Sequence, residues 1–475
     1  MPSTRNRPNL IYVFCDQLRA QSLGFMEQDI VHTPNIDRFS QESLTLTHAV
    51  SNYPVCSPHR AMFMSGKYPL SNGVILNCHS GTSDLGIYLK TEERCWSDVL
   101  HDKGYSLGYI GKWHLETPHK PFADTQELAV GEDPFWNEWT PPERRHGFDY
   151  WHAYNTSGAH MTPEYWTTSG SRDEITRIKQ WSPEYEVGKA IDYLNNTDGS
   201  YRNPDQPFAL VWSINPPHGY YKEYPQKYRE FYEKYSTEEL CNRPSIPPAD
   251  EERGQLYREY IRDYLSMITG VDEQFGKLLQ AIDELNLSDD TIVVFTSDHG
   301  DCLGIHGHYD NKNNHFEEAM HVPFIIRYPD VLEARQDDLL LSSPDIYPTL
   351  IDLMGYKNRI PSQVEGQSLA DAMKDCNAER PTSQFYIRVP YPGDPRYGKR
   401  GVRTHRYKLM IDQTKDKSPR RVELYDLQED PYEMSNIAWL RPNLIKQLVK
   451  DELTPWLKHT KDPWQVPEYD PFTEM

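Results

Sequence analysis

Apolar and polar positions along the chain predict alternating strands and helices up to about residue 370. Short apolar runs of strand length are separated by stretches with the 3.6-residue spacing of amphipathic helices. We predict strands at 9–14, 106–110, 208–214, 291–296 and 324–328, and helices at 36–43, 60–64, 95–103, 183–194 and 253–285. This alternation is typical of an α/β fold, in which helices cover both faces of a large, mainly parallel sheet.

The pattern changes after about residue 370 to several short strand-like segments and one final helix. The strands are predicted at 385–389, 401–403, 407–411 and 423–426, and the helix at 443–457. We therefore predict two domains, residues 1–370 and a small α+β subdomain with an antiparallel sheet at 371–475. The stretch 115–185 is rich in Pro and Trp and weakly periodic, so we predict long loops there.

Charge and apolar content restrict the class of protein. The net charge of −21 argues against a nucleic-acid partner, and an anionic substrate would need a local basic pocket or a metal ion. No apolar run approaches membrane-spanning length, so we predict no membrane insertion. Because no signal-peptide apolar region is seen, we expect a cytoplasmic protein, or a periplasmic one if a leader has been removed.

Polar side chains follow two of the predicted strands, and a third polar group lies in a loop before a helix. Asp16-Gln17 follow the first strand, Asp298-His299 follow the strand at 291–296, and the loop 56–60 reads Cys-Ser-Pro-His-Arg. Each cluster alone could be a turn or a helix cap. Together they favour a site for a divalent cation with mostly oxygen ligands. His306 and His308 are predicted to be solvated loop residues.

The Cys-x-Pro-x-Arg pattern at 56–60 and the segment Gly-Lys-Trp-His at 111–114 give the chain a family resemblance. It resembles the type I sulfatases of the alkaline-phosphatase-like superfamily. The resemblance implies that a maturation enzyme oxidises Cys56 to formylglycine, whose hydrate attacks sulfur. It also implies that Arg60 holds this nucleophile through charge-assisted hydrogen bonds.

The same resemblance assigns further residues by their motifs. Lys112 and His114 would reach the sulfate or the formylglycine, and Lys312 would bind sulfate oxygens. His218, in Asn-Pro-Pro-His, would be the general acid that protonates the leaving group. The metal ligands would be Asp16, Gln17, Cys56, Asp298 and His299, with Ca²⁺ as the expected cation and Mg²⁺ or Mn²⁺ as alternatives.

The predicted substrate rests on the resemblance of three loop segments. The stretches 76–78, 144–151 and 163–166 resemble those of bacterial glycosaminoglycan sulfatases that act on N-acetylglucosamine-6-sulfate, so a sulfated saccharide is the expected partner. Asn77 would face the leaving group, or would be a turn residue.

Two alternative functions stay open at this point. The Asp-Gln and Asp-His pairs also occur in phosphonate monoester hydrolases, which makes a phosphonate monoester or phosphodiester hydrolase the first alternative. The second is a non-catalytic sulfated-glycan-binding protein in which Cys56 stays a thiol.

Overall fold

The computed structural model of the chain describes residues 7–125, 135–307, 311–415 and 421–466. The strands are β1 (Asn9–Asp16), β2 (Leu44–Val50), β3 (Ser106–Lys112), β4 (Tyr150–Tyr154), β5 (Glu164–Thr167), β6 (Thr176–Arg177), β7 (Phe208–Pro217), β8 (Thr291–Ser297), β9 (Phe324–Arg327), β10 (Arg335–Ser342), β11 (Gln384–Arg388), β12 (Gly398–Arg403), β13 (Tyr407–Gln413) and β14 (Arg421–Asp426). The α-helices are α1 (Pro34–Gln41), α2 (Cys56–Ser65), α3 (Pro69–Asn72), α4 (Trp96–Asp102), α5 (Ser182–Asn195), α6 (Thr237–Leu240), α7 (Glu252–Glu284), α8 (Glu317–Met320), α9 (Ile346–Leu353), α10 (Ala370–Lys374), α11 (Pro442–Leu448) and α12 (Thr454–His459).

Ten of the strands in the described residues form one large mixed sheet, in the order β10-β2-β9-β8-β1-β7-β3-β4-β5-β6. The central strand β1 pairs in parallel with β7 and β8, and β3 extends the parallel part beyond β7. β9 is antiparallel to both of its neighbours. The predicted α/β class with a mainly parallel sheet is therefore confirmed.

β1 is buried along its whole length because apolar layers cover both faces of the sheet. Leu10 and Phe14 pack into one layer, while Ile11 and Val13 pack into the other, which includes the long helix α7. A strand buried on both faces has a continuous apolar run rather than alternation. This arrangement explains why the continuous apolar run at 9–14 predicts a strand that lies at the centre of the sheet.

The prediction that 115–185 consists of long loops is wrong in part. β4 runs parallel to β3, and β5 runs antiparallel to β4, so this region extends the large sheet. Both strands are short, and their large rings, such as Trp151 and Trp166, are buried by contacts with other parts of the chain. Such tertiary packing leaves no repeating local pattern for a prediction. β2 and β10 were also not predicted.

The four remaining strands form a separate antiparallel sheet in the order β11-β12-β13-β14. The predicted terminal helix is α11 and α12 joined by one π-helical turn at Val449–Leu453, and its apolar face packs on this sheet. The predicted antiparallel subdomain is confirmed, while the boundary between residues 370 and 371 stays a prediction. None of the helices in the described residues has both the length and the apolarity needed to cross a bilayer.

Candidate active site

Four strand ends bring polar residues to one edge of the large sheet. Asp16 ends β1, Lys112 ends β3, His218 follows β7, and Asp298 follows β8. Asp16, Lys112 and Asp298 have no exposed surface. Because parallel strands place their carboxyl ends at the same edge, residues far apart in the sequence meet there.

Helix α2 delivers Cys56 to this edge from its first turn. The Cys56 Sγ lies 3.3 Å from His299 Nε2 and 3.6 Å from Asp16 Oδ1. Lys312 Nζ donates a hydrogen bond to the same sulfur at 3.1 Å. The helix N-terminus adds a partial positive charge at this point. Cys56 is thus surrounded by potential metal ligands and by groups that attract an anion.

Arg60 lies one turn after Cys56 on the same face of α2. Its Nη2 is 3.0 Å from Oδ2 of both Asp16 and Asp298, and its Nη1 donates to Ser213 Oγ and to the Lys112 carbonyl oxygen, each at 2.7 Å. The family resemblance predicts that this guanidinium holds the nucleophile formed from Cys56. In the structure it holds two carboxylates in place beside Cys56.

Asp16, Cys56, Asp298 and His299 could hold a metal ion, since their ligand atoms lie within 4.8 Å of one another. His299 Nε2 is 3.6 Å from a carboxylate oxygen of Asp16 and of Asp298. Its Nδ1 faces the Gly300 carbonyl oxygen at 2.9 Å, which directs Nε2 toward the carboxylates. The two buried carboxylates and one imidazole fit a hard divalent cation.

Gln17 can add an amide oxygen to this donor set. Its φ of 71° turns the chain after β1, and its backbone N–H donates to Asp298 Oδ1 at 3.1 Å. The side-chain Nε2 donates to Asp301 Oδ2 at 2.7 Å, while Oε1 accepts from Lys312 Nζ at 3.2 Å. This orientation points the amide oxygen toward the group around Cys56.

The two carboxylates have opposite pKa shifts. Burial alone would raise the pKa of the Asp16 carboxyl, but Lys112, 2.7 Å away, and three neighbouring basic side chains hold it well below its usual range. Burial, followed by the negative charge of Asp16, raises the pKa of Asp298. A divalent cation would stabilise the charged form of both carboxylates.

His218 contacts a lysine through its ring. Lys312 Nζ lies 2.9 Å from His218 Nε2, which assigns the imidazole proton to Nδ1. Burial, followed by the charges of Lys112 and Lys312, lowers the pKa of His218 well below its usual range. The imidazole is therefore neutral here, and it can act as an acid only after it gains a proton at Nε2.

His114 contributes a buried ring to the site. Both its ring nitrogens are buried and have no hydrogen-bond partner within the part of the chain that the structure describes. Burial, followed by the charges of Lys112 and Arg60, lowers its pKa well below the usual range. The ring lies 5.9 Å from the indole of Trp136, which itself lies 4.6 Å from the ring of His79. Trp136 was not predicted as a site residue.

Asn77 contacts the segment that carries Cys56. Its Oδ1 accepts a hydrogen bond from the Ser57 backbone N–H at 3.0 Å, and Ser57 Oγ donates to the His114 carbonyl oxygen at 2.7 Å. The side chain therefore fastens the start of α2. Asn215, whose Oδ1 accepts from Lys112 Nζ at 3.1 Å, was not predicted as a site residue although it lies in the quoted segment with His218.

His306 corrects another prediction. Its ring stacks on Phe316 with centroids 3.7 Å apart, and its Nε2 lies 3.4 Å from Glu318 Oε2. With 8% of its side chain exposed, it is a packed residue rather than a solvated one. The ring is held inward by its contacts with Phe316 and Glu318. His308 lies outside the described residues.

Comparisons with known proteins establish the family. A family model described as Sulfatase matches residues 8–356, and one described as N-sulphoglucosamine sulphohydrolase, C-terminal, matches residues 304–459. The chain belongs to the sulfatase family, and it is an enzyme of the sulfuric ester hydrolase class. The predicted recognition and enzyme class are confirmed.

Three relatives show the range of similarity. An endo-4-O-sulfatase of Bacteroides thetaiotaomicron is 38% identical over 96% of this chain and 93% of its own length. An N-acetylglucosamine-6-O-sulfatase of the same species is 25% identical over 91% of this chain and 82% of its own. A solved structure from Bacteroides fragilis, described as a sulfatase, is 42% identical with a TM-score of 0.92 and covers 98% of both chains.

Proposed function

We propose that this sulfatase hydrolyses sulfate esters of a saccharide, with a nucleophile formed from Cys56 and one bound divalent cation. The observation that carries the proposal is the position of the Cys56 Sγ, within 3.6 Å of Asp16, His299 and Lys312. A nucleophile precursor, possible metal ligands and an ammonium group therefore meet at one place. An enzyme that transfers an anionic group needs these three components.

The proposed cofactors follow from the donor set and the family. The cation would be held by Asp16, Gln17, Asp298 and His299 together with the modified Cys56, with Ca²⁺ as the first choice and Mg²⁺ or Mn²⁺ as alternatives. It would supply Lewis-acid polarisation of the sulfate. Formylglycine, made from Cys56 by a maturation enzyme, would supply the oxygen nucleophile as a hydrated aldehyde.

The remaining side chains would bind the sulfate and move a proton. Lys112 and Lys312 would balance the charge of the sulfate oxygens, and a ring nitrogen of His114 would donate to one of them. His218, whose Nε2 lies 2.9 Å from Lys312 Nζ, would protonate the departing alcohol after it has taken up a proton from solvent, while Lys312 keeps its charge. Arg60 and Asn77 would act by positioning the carboxylates and the start of α2.

Similarity supports a 4-O-sulfated saccharide as the substrate. The relative with 38% identity is an endo-4-O-sulfatase, whereas the N-acetylglucosamine-6-O-sulfatase is 25% identical. The prediction of N-acetylglucosamine-6-sulfate is therefore not confirmed, and we prefer the 4-O position. The indole of Trp136 beside His114 supports a saccharide, since aromatic walls are common in ligand sites.

A desulfation assay tests the proposal. Enzyme co-expressed with a formylglycine-generating enzyme would be given saccharides sulfated at the 2-O, 3-O, 4-O or 6-O position, an aryl sulfate and an aryl phosphonate. We expect sulfate release chiefly from the 4-O-sulfated compounds. Selective release from N-acetylglucosamine-6-sulfate would restore the original prediction. Turnover of the aryl sulfate without turnover of any saccharide would contradict the proposed substrate class.

A further inference from the structure

Arg388, the last residue of β11, has no charge partner among the described residues. Its Nε is buried, and no atom in the described ranges accepts a hydrogen bond from it. Other arginines of this sheet do have carboxylate partners, since Arg400 pairs with Asp462 at 2.5 Å and Arg403 with Glu317 at 2.8 Å. A buried N–H without a partner is costly, and an external anion would supply the partner that Arg388 lacks among the described residues.

The guanidinium of Arg388 lies on the face of β11 that is directed at the large sheet. Alternate residues Phe385, Ile387 and Val389 pack into the core under the terminal helices, so Arg388 points to the opposite face. Lys399 stands opposite Arg388 on β12, and its Nζ reaches His315 Nδ1 at 3.1 Å. Because cross-strand neighbours share a face, Arg388 is directed toward the segment that contains His315.

Two chain segments connect the surroundings of Arg388 with the residues around Cys56. The Ile387 backbone N–H donates to the Asn52 carbonyl oxygen at 3.1 Å, and Tyr53 OH donates to the Val389 carbonyl oxygen at 3.2 Å. Cys56 follows Tyr53 by three residues, a span of at most about 11 Å. The backbone next to Arg388 therefore borders the loop 51–55 that leads into α2.

The second segment is the one that carries Lys312. His315 follows Lys312 by three residues, and Lys312 Nζ contacts the Cys56 Sγ. Next to Lys312, the Oδ1 of Asn313 is buried and accepts no hydrogen bond from the residues that the structure describes. A donor on Arg388 and an acceptor on Asn313 thus lie on segments that lead to the catalytic group, and neither atom has a hydrogen-bond partner within the described ranges.

We propose that Arg388 and Asn313 form a saccharide subsite beside the sulfate, in which Arg388 binds an anionic substituent and Asn313 accepts a hydrogen bond from a hydroxyl. The substituent is a carboxylate or a second sulfate, because the planar guanidinium matches both oxyanions. The sulfate that is hydrolysed faces Lys112 and Lys312, so Arg388 serves a different group. The proposal rests on the saccharide substrate proposed above.

Arg388→Gln tests the subsite in the matured enzyme. We would measure kcat/KM on a sulfated oligosaccharide that contains a uronate and a second sulfate, and on an aryl sulfate. The ratio of kcat/KM on the oligosaccharide to kcat/KM on the aryl sulfate should fall about 10- to 100-fold in Arg388→Gln, as expected for a lost hydrogen-bonded charge contact.

Arg396→Gln is the matched control, because Arg396 pairs with Asp394 at 2.8 Å in the exposed loop after β11. The same ratio should not change in this variant. Asn313→Ala should lower the ratio without altering the preference for anionic substrates.

Modified substrates identify the anion. If the carboxylate is the ligand, reducing it should slow the wild type and have no further effect on Arg388→Gln. If the second sulfate is the ligand, removing that sulfate should slow the wild type and have no further effect on Arg388→Gln. An unchanged ratio in Arg388→Gln overturns the subsite, as does an equal loss on the oligosaccharide and the aryl sulfate. If the wild type cleaves the aryl sulfate but no saccharide, the proposed substrate class fails before the Arg388 variants are compared.

Discussion

Cys56 is the single residue on which the proposed chemistry depends. It is fully buried at the start of α2, and Lys312 donates to its sulfur. We expect Cys56→Ala to lower kcat by about 10⁴-fold or more, because the variant lacks the nucleophile precursor. The melting temperature should fall by only a few degrees, since a point change of this size costs about 1 kcal/mol. Cys376→Ala, at an exposed cysteine, is the control and should keep full activity. Turnover near the wild-type rate in Cys56→Ala would refute the role.

Glu186, on α5, predicts a pH dependence of stability. Burial raises the pKa of its carboxyl from 4.5 to about 8, although hydrogen bonds from Trp212 and Tyr165 act to lower it. The folded state therefore retains a proton that the unfolded state releases. Its contribution to the free energy of unfolding is complete below pH 4.5 and is lost as the pH rises toward 8 and beyond.

Glu186→Gln should remove this pH-dependent loss of folding stability. The amide can accept from Trp212 Nε1 and donate to the Tyr165 oxygen, so the packing is retained. In urea unfolding from pH 5 to pH 9, the variant should match the wild type at pH 5 and become progressively more stable than it as the pH rises. Glu184→Gln, on the same helix but half-buried, serves as the control. Parallel curves for Glu186→Gln and the wild type would contradict the raised pKa.

Single residues were predictable only where neighbours in the sequence share the chemistry. Cys56 and Arg60 were found because they belong to one contiguous motif, and a helical turn brings both to the same point. Trp136 and Arg388 have no such neighbours. Their positions depend on contacts with segments far away in the chain, such as the hydrogen bond from the Ile387 N–H of β11 to the Asn52 carbonyl oxygen. No local pattern in the sequence records those contacts.

At the scale of an element, the end of β3 depends on one glycine. Gly111 has a φ of +95°, and an added Cβ would lie 2.1 Å from the Ser213 carbonyl oxygen of the neighbouring strand β7. Gly111→Ala should therefore cost about 2–4 kcal/mol in the free energy of unfolding, from backbone strain and overpacking. It should also lower kcat, because Lys112 is the next residue and lies in the site.

A second glycine provides the control for that prediction. Gly188 lies inside α5, and a Cβ there would meet no atom within 4 Å. Gly188→Ala should stabilise the protein by about 0.5–1 kcal/mol, because alanine favours the helix. Denaturant unfolding of both variants measures the difference. If Gly111→Ala is as stable as the wild type, the close approach of β3 to β7 is not as the structure describes.

Elements were predicted where one property dominates a segment. β1 and β8 are buried throughout, so each has an uninterrupted apolar run. β4 and β5 lie toward one side of the large sheet and are only five and four residues long. Their strand structure depends on pairing with neighbouring strands rather than on their own composition. The sequence pattern therefore predicts loops in this region.

At the scale of the whole molecule, cation binding should couple to stability. The proposed ligands come from the ends of β1 and β8, so the cation would bind the folded chain far better than the unfolded one. After dialysis against EDTA, the melting temperature should fall, and Ca²⁺ at 100 times its Kd should restore about 2.7 kcal/mol. His299→Ala should respond much less. A melting temperature that EDTA and Ca²⁺ leave unchanged would argue against the site.

The net charge of −21 opposes an anionic polymer at a distance, while the cations at the sheet edge attract it at close range. Salt separates these effects, because the Debye length falls from about 30 Å at 0.01 M to about 8 Å at 0.15 M. The repulsion from the whole surface is then screened, whereas the proposed contacts of Lys112 and Lys312 with a bound sulfate would be screened much less. We therefore expect kcat/KM for a sulfated polysaccharide to rise between these two salt concentrations, while that for a sulfated monosaccharide changes less. A steady fall for the polysaccharide over this range would mean that a basic surface, not the overall charge, controls its approach.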